Sequence, residues 1–455
     1  MTAKPRAIRR LLVANRGEIA LRIQRACRAL GIESIQAYSE ADRDSLPVVR
    51  ADGAICIGAA PSSESYLCRG RLLDAARLAK ADAIHPGYGF LSENATFAQA
   101  CADAGVVFVG PPPEAIAAMG DKAVARRIAA EAGVPITPGT PGTIADARAA
   151  RAAAQQLGYP VLLKAAAGGG GRGMRVVRTP AELDRAFADA SREAGAAFGD
   201  ASLYLEKFLE RIRHVEIQVL GDGETTLHLG ERDCSIQRRS QKLLEETPSP
   251  ALDEGVRAAM GEAAVRVCNR VGYRSAGTIE FIVDAARGAF HFMEMNTRIQ
   301  VEHPVTEEVT GIDIVQAQIR VAGGEPLKVA QNNIRSEGHA LECRINAEDP
   351  ERGFAPCPGV VEELHWPDGP GLRIDSHLYA GYRIPPYYDS LLAKLIARGK
   401  DRAEAIARMR RALSELQLSG VPTTAGFHAR LLADERFLRG DVHTRFIEDE
   451  FALQP

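Results

Sequence analysis

The sequence predicts a chain of mixed α/β and α+β character. An N-terminal doubly wound parallel sheet leads into a central α/β region, and a mixed α/β domain closes the chain. Three observations lead there. Strand and helix signals alternate over the first hundred or so residues. The run Gly110-Pro111-Pro112-Pro113 breaks that alternation. Beyond it a strand-rich stretch covers 202–296. A chain of 455 residues is too long for one typical domain, and domain-size priors divide it into about three units. We place these at 1–114, 115–336 and 337–455.

The elements follow in order. Residues 10–14 read as a buried strand. Residues 18–30 carry helical spacing through Ile19, Ile23, Ala26 and Leu30 and stop at Gly31. Short strands are expected at 35–38, 53–57, 83–85 and 106–109, with helices at 66–80 and 92–104 between them. Ala-rich 144–154 reads as a helix. In the last unit, strands are expected at 359–364 and 372–377 and a helix at 402–416.

Composition excludes several classes. The net charge is −3, with 46% hydrophobic and 25% charged residues. Lys and Arg are scattered among Asp and Glu, so neither a nucleic-acid surface nor a membrane surface is indicated. The apolar run Leu11 to Ala14 is far too short for a membrane span or a signal core. Eight Cys are dispersed with no CxxC pair, which argues against a zinc site or a disulfide framework. A reducing, cytoplasmic setting is expected.

Chemistry concentrates in three places. The first is Lys164-Ala165-Ala166-Ala167-Gly168-Gly169-Gly170-Gly171-Arg172-Gly173, which follows an apolar strand. Glycines let backbone N–H groups approach phosphate oxygens, and Lys164 could reach a phosphate as a point charge. No Gly-Lys-Ser/Thr ends the run, so it is not a Walker A loop. The alternative is a flexible hairpin turn.

The second is a pair of strands, 278–283 and 289–296, joined by a turn at 285–288. If Asp284 pairs with Phe290, Glu280 falls opposite Glu294, and Asn296 shares a face with Glu294. Opposed carboxylates repel, and an oxygen-seeking cation such as Mg²⁺ between them removes the conflict. The alternative is a pair of exposed acids, against which Ile282 and Phe292 on the same face would argue.

The third is Asn296-Thr297-Arg298-Ile299-Gln300-Val301-Glu302-His303-Pro304. Extended, it would put Arg298, Gln300 and Glu302 on one face with Asn296. Arg can grip a planar carboxylate or bicarbonate in two-pronged fashion, and Glu302 could act as a general base. A loop stitched by ion pairs is the equal alternative.

Longer runs add specificity. They are Ala14-Asn15-Arg16-Gly17-Glu18-Ile19-Ala20, His85-Pro86-Gly87-Tyr88-Gly89-Phe90-Leu91-Ser92-Glu93-Asn94, Met119-Gly120-Asp121-Lys122, Glu231-Arg232-Asp233-Cys234-Ser235, Glu294 through Pro304, and Glu342-Cys343-Arg344-Ile345-Asn346-Ala347-Glu348-Asp349. With the three features above, they resemble the biotin carboxylase family of ATP-grasp enzymes over nearly the whole chain.

The resemblance implies an ATP-grasp central region whose two lobes clamp ATP, one of them (136–208) closing as a lid. By motif match, Lys122 and Lys164 would contact ATP phosphates, with Gly170 and Gly171 in the moving loop. Glu206, Lys207, Phe208 and Leu209 would line the adenine pocket and His214 would lie near the ribose. Glu280, Glu294 and Asn296 match Mg²⁺ (or Mn²⁺) ligands, so both glutamates belong to the ATP site as well. Lys242, Arg298, Gln300, Val301 and Glu302 match the bicarbonate site. Arg344 matches the residue that stabilises biotin as an enolate-like anion. The implied reaction uses Glu302 to deprotonate bicarbonate, which attacks the γ-phosphate of MgATP to give carboxyphosphate and ADP. Release of CO₂ and capture by biotin follow in a closed site.

Four positions depart from the family pattern. Ser240 stands where His is usual near the nucleotide, and Ala167 where a further loop glycine is usual. Ala29 and Pro370 replace a Glu and a Phe of the family's dimer interface, which leaves a homodimer less secure than the chemistry. The matched catalytic residues all remain, so an active enzyme is expected. No Met-Lys-Met acceptor site is present, so the expected partners are a separate biotin carboxyl carrier protein and separate carboxyltransferase subunits. Acetyl-CoA carboxylase is the commonest context, and pyruvate, propionyl-CoA and urea systems are the alternatives. Rival readings are an ATP-grasp ligase joining a carboxylate to an amine, and a weakly active regulatory paralogue. A dehydrogenase is disfavoured because the N-terminal sheet lacks the glycine fingerprint.

Overall fold

The computed structural model describes residues 7–166, 174–284 and 287–451. Leu11, Leu12 and Val13 have no exposed surface, as expected of a strand covered on both faces. They form β1 (Arg10–Val13), the centre of a five-stranded sheet with β2 (Glu33–Ser39), β3 (Gly53–Gly58), β4 (Ala83–His85) and β5 (Val107–Phe108). The order is β3-β2-β1-β4-β5, with all recorded pairings parallel. Alternation sends Leu11 and Val13 to one face and Leu12 to the other. On the first face they meet Ile19 and Ile23 of helix Gly17–Ala29 and, from the central region, Leu220, Ala276, Ile299 and Ile319. On the second, Leu12 meets Ile35, Tyr66, Leu72 and Phe97. The N-terminal unit is therefore bolted to the rest through one face of its sheet.

The segment expected to act as a lid has its own core. Strands β6 (Val161–Ala165), β7 (Arg175–Val177) and β8 (Leu203–Lys207) pair antiparallel in the order β7-β6-β8. Helices Ala147–Leu157 and Leu183–Phe198 cover one face, where Ala150, Ala154, Val161, Leu163, Leu183 and Leu205 are buried together. Leu162 and Lys164 alternate to the other face and line a cleft. Ala167, Gly170 and Gly171 lie outside the described residues.

One eight-stranded antiparallel sheet organises the remainder. Its strands are β9 (Arg213–Asp222), β10 (Thr226–Arg238), β11 (Gln241–Thr247), β12 (Arg274–Asp284), β13 (Ala289–Asn296), β14 (His339–Asn346), β15 (Leu372–Ser376) and β16 (Leu391–Gly399). The order is β13-β12-β9-β10-β11-β14-β16-β15. The sheet thus crosses the boundary expected near 337, because β11 pairs directly with β14.

The stretch 202–296 is strand-rich as expected, and it also holds helix Glu254–Arg270. Asp253 caps it through Val256 N, and Met260, Ala263, Ala264 and Val267 repeat at helical spacing into the core. Residues 359–364, expected as a strand, form no full strand, since Val360 makes only an isolated bridge to Arg383 and Leu364–His365 pairs with Gln417–Leu418. Val361 instead packs with Leu378, Tyr382 and Ile384 in a small separate core. Among the described residues, no helix is long and apolar enough to cross a membrane.

Candidate active site

The acidic hairpin is built differently from its expected register. Asp284 pairs with Ala289 and Phe281 with Phe292, one residue out of the expected phase. A bulge between Glu280 and Phe281 then restores the phase, so Glu280 faces Glu294 and Thr278 faces Asn296. The bulge also corrects the face of Phe292. It joins the core beside Phe281, while Met293 and Ile282 line the cleft.

Next to this hairpin, β9 alternates His214, Glu216 and Gln218 with Val215, Ile217 and Val219. All six are buried, the apolar three in the central core. The polar three form a buried polar ridge. Glu216 sits opposite Glu280 on β12 and opposite Arg232 on β10. Arg232 has no exposed surface and donates to Glu216 Oε1, Gln218 Oε1, Thr306 and Thr278. Sequence reading missed Glu216, although a charged residue alternating with Val and Ile on a strand was the available signal.

Lys242, from β11, reaches into this ridge. Its Nζ donates to Glu216 Oε2 at 2.6 Å, Glu302 Oε1 at 2.7 Å and Glu280 Oε1 at 3.1 Å. Burial disfavours the ammonium, but the surrounding carboxylates overcome that and raise its pKa. Burial likewise opposes ionisation of Glu302, and Lys242, Arg344 and Arg232 overcome it, holding the carboxylate well below its usual range. His214 lies 3.0 Å from Glu280 Oε2, which raises the imidazole pKa against the effect of burial.

The run 296–302 is not extended. The strand ends at Asn296 and helix His303–Thr310 begins after Glu302, with Pro304 in its first turn. Its side chains converge nonetheless. Arg298 donates to Asn296 Oδ1 at 3.1 Å, Gln300 Oε1 at 2.7 Å and Glu93 Oε2 at 2.9 Å, the last from the N-terminal unit. Arg344 Nη2 lies 2.9 Å from Glu302 Oε2. The Val301 carbonyl accepts from Lys394 at 2.8 Å. Gly87 and Gly89 take positive φ, 62° and 68°. Asn15 Nδ2 holds the loop through the carbonyls of Pro86 and Tyr88. This presents Tyr88 to the cleft, its hydroxyl on Glu18.

These groups line one cleft of about 960 Å³. The lining includes an apolar set, Leu162, Met174, Val176, Phe208 and Leu209, and a polar set, Lys242, Glu280, Glu294, Arg298, Gln300 and Arg344, together with Val301, Lys122 and Lys164. Lys122 Nζ lies 3.7 Å from Glu294 Oε2. Lys164 pairs with Glu206 at 2.8 Å, and Arg126 also contacts Glu206. Glu206 is therefore held behind the lining rather than in it. Lys207 turns away, donating to the carbonyls of Gly158 and Tyr159. Ser240 lines the cleft in a two-residue turn, with Arg239 and Ser240 at φ 49° and 64°. Ala29 and Pro370 are exposed on the surface.

The oxygen donors fit a hard divalent cation. Glu280, Glu294 and the Asn296 amide oxygen are at adjacent positions of paired strands, with no sulfur ligand among them. Asn296 Nδ2 already donates to Glu280 Oε1 at 2.8 Å, which aligns the pair. The carboxylates of Glu216 and Glu280 also approach one another, but the Lys242 ammonium sits between them and fills that position.

Comparison with known proteins matches three regions. Residues 7–116 match the family model described as biotin carboxylase, N-terminal domain. Residues 121–330 match carbamoyl-phosphate synthase L chain, ATP binding domain, and residues 342–449 match biotin carboxylase C-terminal domain. The chain is 56% identical over 441 residues to the biotin carboxylase of Nostoc sp., covering 97% of this chain and 98% of that one. It is 51% identical over 441 residues to one of the pyruvate carboxylase subunits of Methanothermobacter thermautotrophicus, covering 97% and 89%. Among solved structures, it resembles the biotin carboxylase domain dimer of the Hydrogenobacter thermophilus 2-oxoglutarate carboxylase, in complex with MgADP, ADP and bicarbonate. The TM-score is 0.94 at 48% identity, covering 98% of this chain and 99% of that one.

Proposed function

This chain belongs to the biotin carboxylase family, and on that premise we propose that its cleft performs the ATP-dependent carboxylation of carrier-linked biotin with bicarbonate. This is the first half-reaction of a biotin-dependent carboxylase. The observation that carries the reading is the placement of Glu302 between Lys242 and Arg344, at 2.7 and 2.9 Å, within reach of the acidic hairpin.

The residues divide the work. Phe208, Leu209, Met174 and Val176 offer the base an apolar slot, and Lys122 and Lys164 offer charge to the phosphates. Glu280, Glu294 and Asn296 would hold Mg²⁺ (or Mn²⁺), which when bound neutralises phosphate charge. Arg298, Gln300, Lys242 and the Val301 backbone orient bicarbonate. Glu302 accepts its proton, and the freed oxygen attacks the γ-phosphorus while ADP leaves. The resulting carboxyphosphate breaks to CO₂ and phosphate, and phosphate takes the ureido N–H proton of biotin. Arg344 stabilises the anion that captures CO₂.

Bicarbonate-dependent ADP release, stimulated by free biotin, tests this. Stimulation by amines and not by biotin would sink it in favour of an amine ligase.

The acceptor we assign is acetyl-CoA, with biotin on a separate carrier protein and transfer by separate carboxyltransferase subunits. The likeness to a 2-oxoglutarate carboxylase domain and to one of the pyruvate carboxylase subunits supports a second reading with a 2-oxo acid as acceptor. Capture of the biotinylated partner and its transferase from the source cells decides between them. A homodimer is likewise proposed, on the likeness to a domain solved as a dimer.

A further inference from the structure

Arg344 is gripped by two carboxylates, only one of which the reaction uses. Its guanidinium meets Glu302 Oε2 at 2.9 Å and also pairs with Glu245 on β11. Glu245 has no exposed surface and does not line the cleft. The main chain of Arg344 is already fixed, since its carbonyl accepts from Thr424 Oγ1 at 2.8 Å and meets His428 Nε2 at 2.8 Å. The direction of the guanidinium is therefore left to the two glutamates.

Those glutamates are not equivalent. Glu302 takes a proton during turnover, and a protonated Glu302 loses most of its attraction for a cation. Glu245 stays in place behind Arg344. The cation across the strand pair is not available to take over. Lys394 stands opposite Arg344 across β14 and β16, but its ammonium is committed to the Val301 carbonyl at 2.8 Å and Glu18 at 3.1 Å.

We propose that Glu245 is the positioning residue of Arg344, its carboxylate keeping the guanidinium aimed at the biotin end of the cleft while Glu302 carries the proton. The proposal rests on reading Arg344 as the partner of biotin.

Glu342 completes the arrangement. It faces Glu245 directly across β11 and β14 and has no exposed surface; the carboxylate oxygens of both lack a hydrogen-bond partner of good geometry among the described residues, and what sets Glu245 apart is its ion pair with Arg344. Two opposed buried carboxylates cannot both ionise with one guanidinium to share. Burial first, then Glu245 and Glu302, raise the pKa of Glu342 against Lys394 and Arg344. Burial raises the pKa of Glu245 as well, to about 7, with Arg344 opposing it. Glu342, pushed higher and without a cation of its own, is the member that keeps its proton, and the contact with Arg344 favours the anion on Glu245.

The test measures bicarbonate-dependent ADP release with and without free biotin, alongside thermal unfolding, for the wild type, E245Q, E245D and E342Q. E245Q is expected to lose the biotin-stimulated rate about tenfold more than the biotin-independent rate, as misplacement of one group does, while KM for ATP stays within about twofold. E342Q, which replaces a neutral acid by a neutral amide, keeps the ratio of the two rates. Equal loss of both rates in E245Q, or an unchanged ratio, overturns the proposal. If E245Q does not fold, E245D keeps the charge and shortens the reach, and an undiminished ratio there overturns it equally. A wild type that biotin does not stimulate removes the biotin reading itself, a result distinct from any of these.

Discussion

Lys242 Nζ donates to Glu302 Oε1 at 2.7 Å, the lysine partly buried at the cleft wall and the carboxylate fully buried. The proposed general base is thus masked by its own neighbour. A carboxylate held well below its usual pKa is a weak proton acceptor, so in the proposed reaction Lys242 has to turn toward bicarbonate before Glu302 takes the proton. Replacing Lys242 by Gln removes the strongest cationic influence on Glu302. The carboxyl pKa then rises, and the acid limb of the pH–rate profile moves to higher pH. The rate itself falls on the order of 10²-fold, as for loss of one preorganised charge. Steady-state ADP release across pH checks both.

Replacement of Glu302 by Gln keeps the shape and removes the acceptor. Bicarbonate-dependent ADP release should fall on the order of 10²-fold or more. A coupled ADP assay reads this directly.

Chelation of divalent metal should abolish ADP release, and Mg²⁺ should restore it. Glu294 faces Glu280 across the bulged hairpin. Replacing Glu294 by Gln removes one anionic oxygen donor, and the Mg²⁺ concentration for half-maximal rate should rise at least about tenfold. Mg²⁺ titration of the rate measures it.

Lys394 has no exposed surface and joins three segments. It holds the Val301 carbonyl of the loop before helix His303–Thr310, Glu18 of the N-terminal unit and, at 3.9 Å, Asp375 on β15. Lys394→Met takes the cation from buried Glu18, while Asp375 keeps Arg373 at 2.8 Å, and breaking that buried pair should cost about 3–5 kcal/mol. Urea denaturation at neutral pH should show the loss.

Glu246 is a pH-dependent clasp between sheet and helix. Burial would raise its pKa, but hydrogen bonds from His339 and Arg402 hold it down to about 2, from an ordinary value of 4.5. The native state therefore favours the ionised form. Its contribution is full above about pH 4.5 and is lost as pH falls toward 2. At neutral pH it amounts to about 3 kcal/mol. Glu246→Gln should flatten the acid side of the stability curve, as read by unfolding midpoints between pH 6 and about 3.

Much of the fold was readable because it is local. Residues 83–85 were expected as a strand and form β4 (Ala83–His85), and the helix expected at 18–30 runs Gly17–Ala29 before Gly31, whose φ is 69°. A single apolar period and one stop signal suffice for such elements. The hairpin shows the limit. Glu280 faces Glu294 as expected, but through a bulge that no periodicity announces, and the same bulge turned Phe292 to the core. Glu245 and Glu342 were silent for a different reason. Each sits in a strand of its own, and only the pairing of β11 with β14 makes them neighbours.

From residue types and runs, and for Lys122 from the family resemblance those runs carry, the sequence determined which chemistry to expect: phosphate handling by Lys122 and Lys164, an acidic hairpin suited to a cation, and a stretch with Glu302 as the proposed base. Those depend on which groups are present and on their spacing along one strand. The tertiary structure alone decided how the groups are charged and held. Glu302 is masked by Lys242 from β11 and Arg344 from β14, and Arg298 is steadied by Glu93 from the N-terminal unit. Electrostatic coupling falls with distance through space and grows with burial. It therefore belongs to contacts between segments far apart in the chain, which a linear reading cannot bring together.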